Sequence, residues 1–378
     1  MTWKPRTIRL LVCLALTSLA AGIQVQVAEA SARCAKLPIK IGHEVTVTKK
    51  PLRVATASFA SELGQQRLSY IVIPKKGFEL KNLVKSIPGS LSKSQVLSLQ
   101  KSPVAIINSG YFNLSTYEPV GLLNNKGQSL WSDNAQRVSQ LTITEGRIFT
   151  GRISKSVELV FDSMRVDGGS LNNAQSESNF VVYNQFSSSV RRHFGGVTLV
   201  VRQGVVTRRV DGGENLSPNP SELVIQIRPK YAALFSTVAV GDEIAFKIRS
   251  EKQTISSFST PVGSEILRDG VVAVACNNTN ELPRPRAAIA WDKQNRIMLV
   301  TASSGKLTAL QGVRAGGTSV RHFAQLLLAI GAKNAVLLDG GGSVCLFVKT
   351  GVGWQRVDES DQAGFRRLPY AIGVVPKD

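Results

Sequence analysis

A lone carboxylate followed by three glycines and a serine, Asp339-Gly340-Gly341-Gly342-Ser343, ends the apolar run Ala335 to Leu338. Each glycine raises the backbone entropy lost on folding, so three in succession need a geometric reason. One is a tight turn, because Asp-Gly between apolar segments is a strong hairpin signal and the apolar pattern resumes at Val344. The other is chemical: bare backbone lets a charged ligand approach main-chain N–H groups beside a fixed carboxylate. Pro283-Arg284-Pro285-Arg286 offers the complementary charge. Its prolines stiffen the entrance to a strand, and a guanidinium held there meets phosphate through paired hydrogen bonds, although a plain surface loop has the same composition. A third cluster, Asn108-Ser109-Gly110-Tyr111-Phe112, ends a strand in an amide, turns on glycine and presents two aromatic rings. Taken alone, that Asn reads first as a turn former.

In order and spacing these clusters resemble the phosphodiester glycosidase family, whose members carry N-G-G-[FY]-F, then P-R-T-A-I-G, then a helix ending in L-G-A and the run N-L-D-G-G-G-S-S. The corresponding stretches are NSGYF at 108–112, PRAAIA at 285–290, AIGAKNAVLLDGGGSV at 329–344 and an arginine-rich approach to a strand, RRLPYAIGVV at 366–375. Ser109, Ala287 and Val344 stand where the family has Gly, Thr and Ser, and Ala302-Ser303-Ser304-Gly305 stands where it has Asp-Gly-Arg. The resemblance covers residues 51–378 and implies an α+β fold: one large, strand-rich domain of mixed sheets with few helices.

The reaction implied by the resemblance is hydrolysis of a sugar-1-phosphodiester, with the sugar released from phosphate. An oxocarbenium-like transition state needs negative charge near the anomeric carbon and an activated water or nucleophile, a role that falls to Asp339. The leaving phosphate is a weak base, so it needs positive charge more than a strong general acid. Arg286 suits that task, with Arg284, Arg366, Arg367, Ser343 and the N–H groups of Gly340, Gly341 and Gly342 as substrate contacts. Asn108 is expected to hold a sugar hydroxyl or position water, and Tyr111 to offer a stacking face. The alternative is a non-catalytic envelope protein that binds anionic glycans on the same fold.

Other chemistries lack their signatures. The three histidines, His43, His193 and His322, are scattered, and neither HExxH nor paired Cys-x-x-Cys occurs, so no metal is expected. His322 is expected to sit at a helix surface or in a cap. There is no Gly-rich phosphate loop of the nucleotide hydrolases and no G-x-S-x-G elbow. No cofactor is implied.

The elements that must hold these residues are mostly strands. Short runs rich in Val, Ile and Thr between turn signals predict strands at 67–73, 104–108, 140–144, 157–161, 179–183, 197–201, 222–227, 243–248, 287–291 and 297–301. The clearest helix covers 319–330, where Val320, Phe323, Leu327 and Ile330 share a face, Thr318 or Ser319 is the N-cap and Gly331 the stop. A weaker one covers 92–99. RVDGG at 165–169 and 209–213 reads as two similar turns, and the Ser- and Asn-rich stretches 170–189 and 214–221 read as exposed loops.

The first 30 residues read as a secretory signal: Lys4, Arg6 and Arg9, the apolar stretch Leu10 to Ile23, then Ala28-Glu29-Ala30. The chain is thus expected to divide into a signal at 1–30, a lead-in at 31–50 and the domain at 51–378, and to be secreted or periplasmic. Cys34, Cys276 and Cys345 then remain, allowing at most one internal bridge, with Cys345 a candidate for simple packing. The formal charge is +20. Such a field selects anionic partners, and export favours phosphorylated or otherwise anionic glycans, or an anionic membrane surface, over nucleic acid.

Overall fold

The structure is a computed structural model. It describes residues 45–377 except 50–51, 62–63, 85–102, 116, 133–137, 153–154, 163, 174–177, 188–195, 215, 217, 251–256, 278–279, 281, 305–315 and 359–365. The signal segment, Cys34, His43, His193 and the expected helix at 92–99 lie outside the described residues.

The described residues form four sheets. The largest has eight strands, in the order Val45–Lys49, Leu52–Ser61, Gly64–Val72, Ile297–Ser304, Arg286–Trp291, Asn334–Leu337, Glu265–Arg268 and Val271–Val272. A five-stranded sheet runs Gly353–Arg356, Leu346–Thr350, Ala105–Asn108, Ala371–Pro376 and Phe78–Leu83. A second five-stranded sheet contains Gln128–Trp131, Leu123–Asn125, Phe258–Val262, Ser139–Thr144 and Arg147–Gly151. The fourth, seven-stranded, holds Val205–Asp211, Val197–Arg202, Glu222–Ile227, Phe180–Tyr183, Met164–Leu171, Lys155–Phe161 and Ile244–Ser250. Among the described pairings only Met164–Leu171 with Phe180–Tyr183 is parallel. All ten expected strands are present.

Alternation along a strand decides what each face of the large sheet covers. In Arg286–Trp291, Ala287, Ile289 and Trp291 enter a core shared with Ile107, Leu346, Ile372 and Val374 of the first five-stranded sheet and with Trp131, Leu141 and Phe258 of the second. Ala288 and Ala290 face the other way, toward Phe323, Ala324 and Leu327 of the helix Val320–Ala329. Those small alanines leave room for the helix. Ser319 is its N-cap, accepting from the His322 N–H at 3.1 Å, and Gly331 closes it at a left-handed φ of 95°. The seven-stranded sheet builds a separate core around Leu159, Phe180, Leu199, Ile225 and Phe235.

Several expectations are corrected. Asp339-Gly340 is no hairpin: Asn334–Leu337 belongs to the eight-stranded sheet and Leu346–Thr350 to a five-stranded one, so the glycines carry the chain from one sheet to the other. His322 is buried, its ring edge-on to Phe59 at 5.6 Å, because it occupies the helix face that meets the sheet. RVDGG at 165–169 lies within Met164–Leu171, next to a register shift, and only its second copy ends in a turn. The polar stretch from 170 begins buried: Asn172 donates to the Leu130 carbonyl at 2.8 Å, and the Ser132 N–H to that of Leu171 at 3.0 Å. These polar groups join two sheets, which is why they are inside. Cys276 is disulfide-bonded, and Cys345 is a buried free thiol.

Candidate active site

Three strand ends in two sheets bring the site together. Asn108 is the last residue of Ala105–Asn108, Arg286 the first of Arg286–Trp291, and Asp339 follows Asn334–Leu337 by two positions. Backbone hydrogen bonds tie their loops directly. The Asp339 N–H donates to the Ser109 carbonyl at 3.2 Å, Leu338 N–H to the Ala287 carbonyl at 2.9 Å and Gly341 N–H to the Pro285 carbonyl at 2.9 Å. Segments distant in the sequence are thus joined by a few main-chain contacts.

Close packing explains which glycines are required. A Cβ at Gly110 would stand 1.7 Å from the Pro261 carbonyl oxygen, and one at Gly263 would stand 2.5 Å from the Tyr111 ring. Gly317, at φ 99°, passes so near the Arg284 carbonyl that a Cβ would come within 2.0 Å. Gly341 adopts a left-handed φ of 58° at the start of the short 3-10 turn Gly341–Ser343.

Around Asp339 the charges are unbalanced in favour of cations. Burial raises the Asp339 carboxyl above its ordinary range, against the lowering influence of the Ser343 hydroxyl, the Arg366 charge and the Gly340 N–H, which donates to Oδ1 at 3.0 Å. Arg366 lies over Gly342 and donates to Ser343 Oγ at 3.4 Å. Arg286 is half-buried and fixed by carbonyls: Nε donates to Thr318 at 3.1 Å and Nη2 to Leu282 at 2.6 Å. Among the described residues it has no carboxylate partner. Burial draws its guanidinium down to about 10, Tyr111 opposing and the neighbouring charge of Arg284 adding to the depression. A cation held by neutral carbonyls and repelled by a second cation is short of an anion.

Most of the residues singled out in the sequence converge here. Tyr111 stays 37% exposed, and both Asp339 and Arg286 act on its hydroxyl, whose acidity burial weakens most. Arg366 acts on Asp339 and Arg284 on Arg286, and Arg367 is the exposed neighbour of Arg366. Two expectations change. Asn108 is fully buried with its amide engaged by backbone: Nδ2 donates to the carbonyls of Ser109 at 3.0 Å and Asp339 at 2.8 Å, and Oδ1 accepts from Cys345 N–H at 3.4 Å. It positions the Asp339 loop, with no donor left for a sugar. Two of the three glycine N–H groups are also spent, Gly340 donating to Asp339 and Gly341 to Pro285, which leaves that of Gly342 for a substrate.

Two contributors escaped the sequence reading. Tyr370 is buried, accepts from Gly110 N–H at 3.1 Å and from Thr260 Oγ1 at 3.4 Å, and feels the Asp339 charge. Its place in RRLPYA was its only signal. Thr318 supplies the carbonyl that orients Arg286, a backbone role invisible in residue type.

This arrangement coincides with a match to known proteins. Residues 195–375 match the phosphodiester glycosidase family. The phosphodiester glycosidase match contains Arg284, Arg286, Asp339 to Ser343 and both late arginines, while Asn108 and Tyr111 precede it. Among solved structures, a protein from Synechocystis is 20% identical with a TM-score of 0.67, over 90% of this chain and 64% of its own, so the present chain spans under two thirds of that relative. A candidate exported protein of Burkholderia pseudomallei is 18% identical with a TM-score of 0.63, covering 82% of this chain and 74% of its own. These two likenesses show the strand-rich fold. The catalytic domain of zebrafish N-acetylglucosamine-1-phosphodiester alpha-N-acetylglucosaminidase, auto-inhibited by its pro-peptide, aligns at 11% identity and a TM-score of 0.46, over 90% of this chain and 89% of its own. No curated protein matches the chain.

Proposed function

We propose that the protein is an exported glycosidase that hydrolyses a sugar-1-phosphodiester in envelope or extracellular glycans. The observation that carries this reading is Arg286, a half-buried guanidinium held by carbonyls and lacking any described carboxylate partner, in the same site as the half-buried Asp339. Phosphate between Arg286, Arg284 and Arg366 would supply the missing negative charge. The anomeric C–O bond then breaks with its electron pair passing to the phosphate. Water forms the new bond to the anomeric carbon, and Asp339 takes its proton and offsets the developing positive charge. The cations stabilise the charge that grows on the leaving group. The match over residues 195–375 supports the reaction class. The disulfide at Cys276 supports an oxidising compartment.

Paired substitutions on two substrates test the reading. Asp339→Asn should abolish release of reducing sugar from both a UDP-sugar and an aryl glycoside. Arg286→Ala should lower kcat/KM by roughly 2 to 4 kcal/mol in transition-state terms on the phosphodiester and much less on the aryl glycoside. Equal losses on both would mean that Arg286 holds Asp339 or the fold, and the phosphate assignment would fall.

A second reading, binding of anionic glycans without cleavage, draws on the internal engagement of Asn108 and of the Gly340 and Gly341 N–H groups. Tight binding of a sugar phosphodiester with no sugar released would select it.

A further inference from the structure

A second cleft lies away from Asp339, between the Gln128–Trp131 edge of one five-stranded sheet and the seven-stranded sheet. It measures about 560 Å³, within the range of small-ligand sites. Its lining is unusual for a chain of formal charge +20: no Lys, Arg or His contributes, and the lone carboxylate, Glu222, is taken by Arg202 and Asn219. What remains is amide and ring. Gln128, Gln185 and Gln203 line the cleft with side-chain amides that make no hydrogen bond among the described residues, beside Asn184 and the half-buried rings of Phe186 and Phe246.

One of these amides is fixed in advance. Asn184 Oδ1 accepts from Asn172 Nδ2 at 2.7 Å and from Phe186 N–H at 3.0 Å, and its own N–H donates to Asn172 Oδ1 at 2.9 Å. Asn172 is itself buried and anchored to the Leu130 carbonyl. The Nδ2 of Asn184 is thereby held at the cleft with no partner among the described residues. Gln203 sits at a left-handed φ of 52° in the turn with Gly204, which presents its side chain from a fixed hairpin end.

We propose that this cleft binds a neutral saccharide, apart from any phosphate chemistry at Asp339. Primary amides both donate and accept, as vicinal hydroxyls require, and ring faces take the apolar C–H surface of a pyranose. An anion would find no cation in the lining, and the adjacent Arg202 is already paired with Glu222. The cleft lets the protein hold an uncharged stretch of glycan.

The test uses the full chain and a panel of neutral trisaccharides, chitotriose, maltotriose and cellotriose, titrated by calorimetry. Saturable binding of at least one is expected, unchanged in Asp339→Asn and insensitive to salt between about 0.05 and 0.5 M. The double variant Gln128→Ala/Gln203→Gly alters exposed positions and keeps the left-handed turn residue permissive. It should weaken binding roughly tenfold through two lost hydrogen bonds, with thermal unfolding unchanged. Absence of binding across the panel, binding unaffected by the double variant, or competition by a UDP-sugar would each overturn the proposal. Loss of turnover in Asp339→Asn with trisaccharide binding retained would separate this cleft from the catalytic reading.

Discussion

At Asp339, burial and hydrogen bonding pull the carboxyl in opposite directions, and burial wins. An acid whose folded pKa lies above its unfolded one adds stability below the unfolded value and loses that contribution as pH rises through the folded one. The ionised form of Asp339 is therefore held at a net expense to folding, which grows as pH rises. Asp339→Asn is expected to raise the midpoint of chemical unfolding at pH 7 relative to pH 4, while removing catalysis. The rate of the native enzyme should climb with pH along an acid limb displaced above the ordinary carboxylate range, and a limb at the ordinary position would refute the assignment of Asp339 as base. Ser109 makes a different case. Its buried hydroxyl has no hydrogen-bond partner among the described residues, at the position where the resembled family has Gly. Ser109→Ala should stabilise the fold by about 1 kcal/mol in denaturant titrations, since an unsatisfied buried hydroxyl is removed. Residue types announced Asp339, Arg286 and Tyr111 because their chemistry is side-chain chemistry. The Thr318 carbonyl and the spent N–H groups of Gly340 and Gly341 were illegible, because backbone geometry assigns them and any residue has the same backbone.

The elements that build the site are held by close approaches at glycine. Gly110 admits the Pro261 carbonyl, and that contact sets how Tyr111 and Tyr370 reach the carboxylate region. Gly110→Ala should cost roughly 3 kcal/mol or more, because a methyl group overlapping a main-chain oxygen moves backbone rather than a flexible side chain. Chemical denaturation measures it, and a change under 1 kcal/mol, a level typical of tolerated core swaps, would mean that the loop has an easy alternative path. Strand legibility followed contrast. Ala105–Asn108 and Val197–Arg202 declare themselves as apolar runs, whereas Leu52–Ser61, rich in Ala and Ser, alternates buried and exposed positions with little difference in hydrophobicity and was passed over. The Asp-Gly signal is ambiguous because a hairpin and a crossing between sheets need the same permissive backbone. Helix Val320–Ala329 was read almost to the residue, since its cap, apolar face and Gly331 all agree.

For the molecule as a whole, the charge of +20 and the site's arginines make one electrostatic expectation. Affinity for an anionic glycan should fall steeply as salt rises, because exposed charge is screened over roughly 10 Å at 0.1 M. Equilibrium binding at several ionic strengths checks this, and a flat dependence would make the charge incidental to that ligand. The overall assembly was the least legible level. Nothing local indicates that Ala371 pairs with Asn108 or that Ser303 donates to the Asp358 carbonyl, because partners hundreds or tens of residues distant are chosen by the final packing.

That pairing of Ala371 with Asn108 has a temporal side. Ala371–Pro376 lies between Ala105–Asn108 and Phe78–Leu83, so the sheet that carries Asn108 has a gap in its middle until residue 376 has been synthesised. Elongation from the ribosome cannot close this core progressively from the N-terminus. Ordering of the candidate-site loops waits for strands from distant parts of the chain to meet, slow in the manner of long-range strand pairing. A chain that emerges from a narrow channel with its N-terminus first cannot complete that sheet before Ala371–Pro376 has emerged.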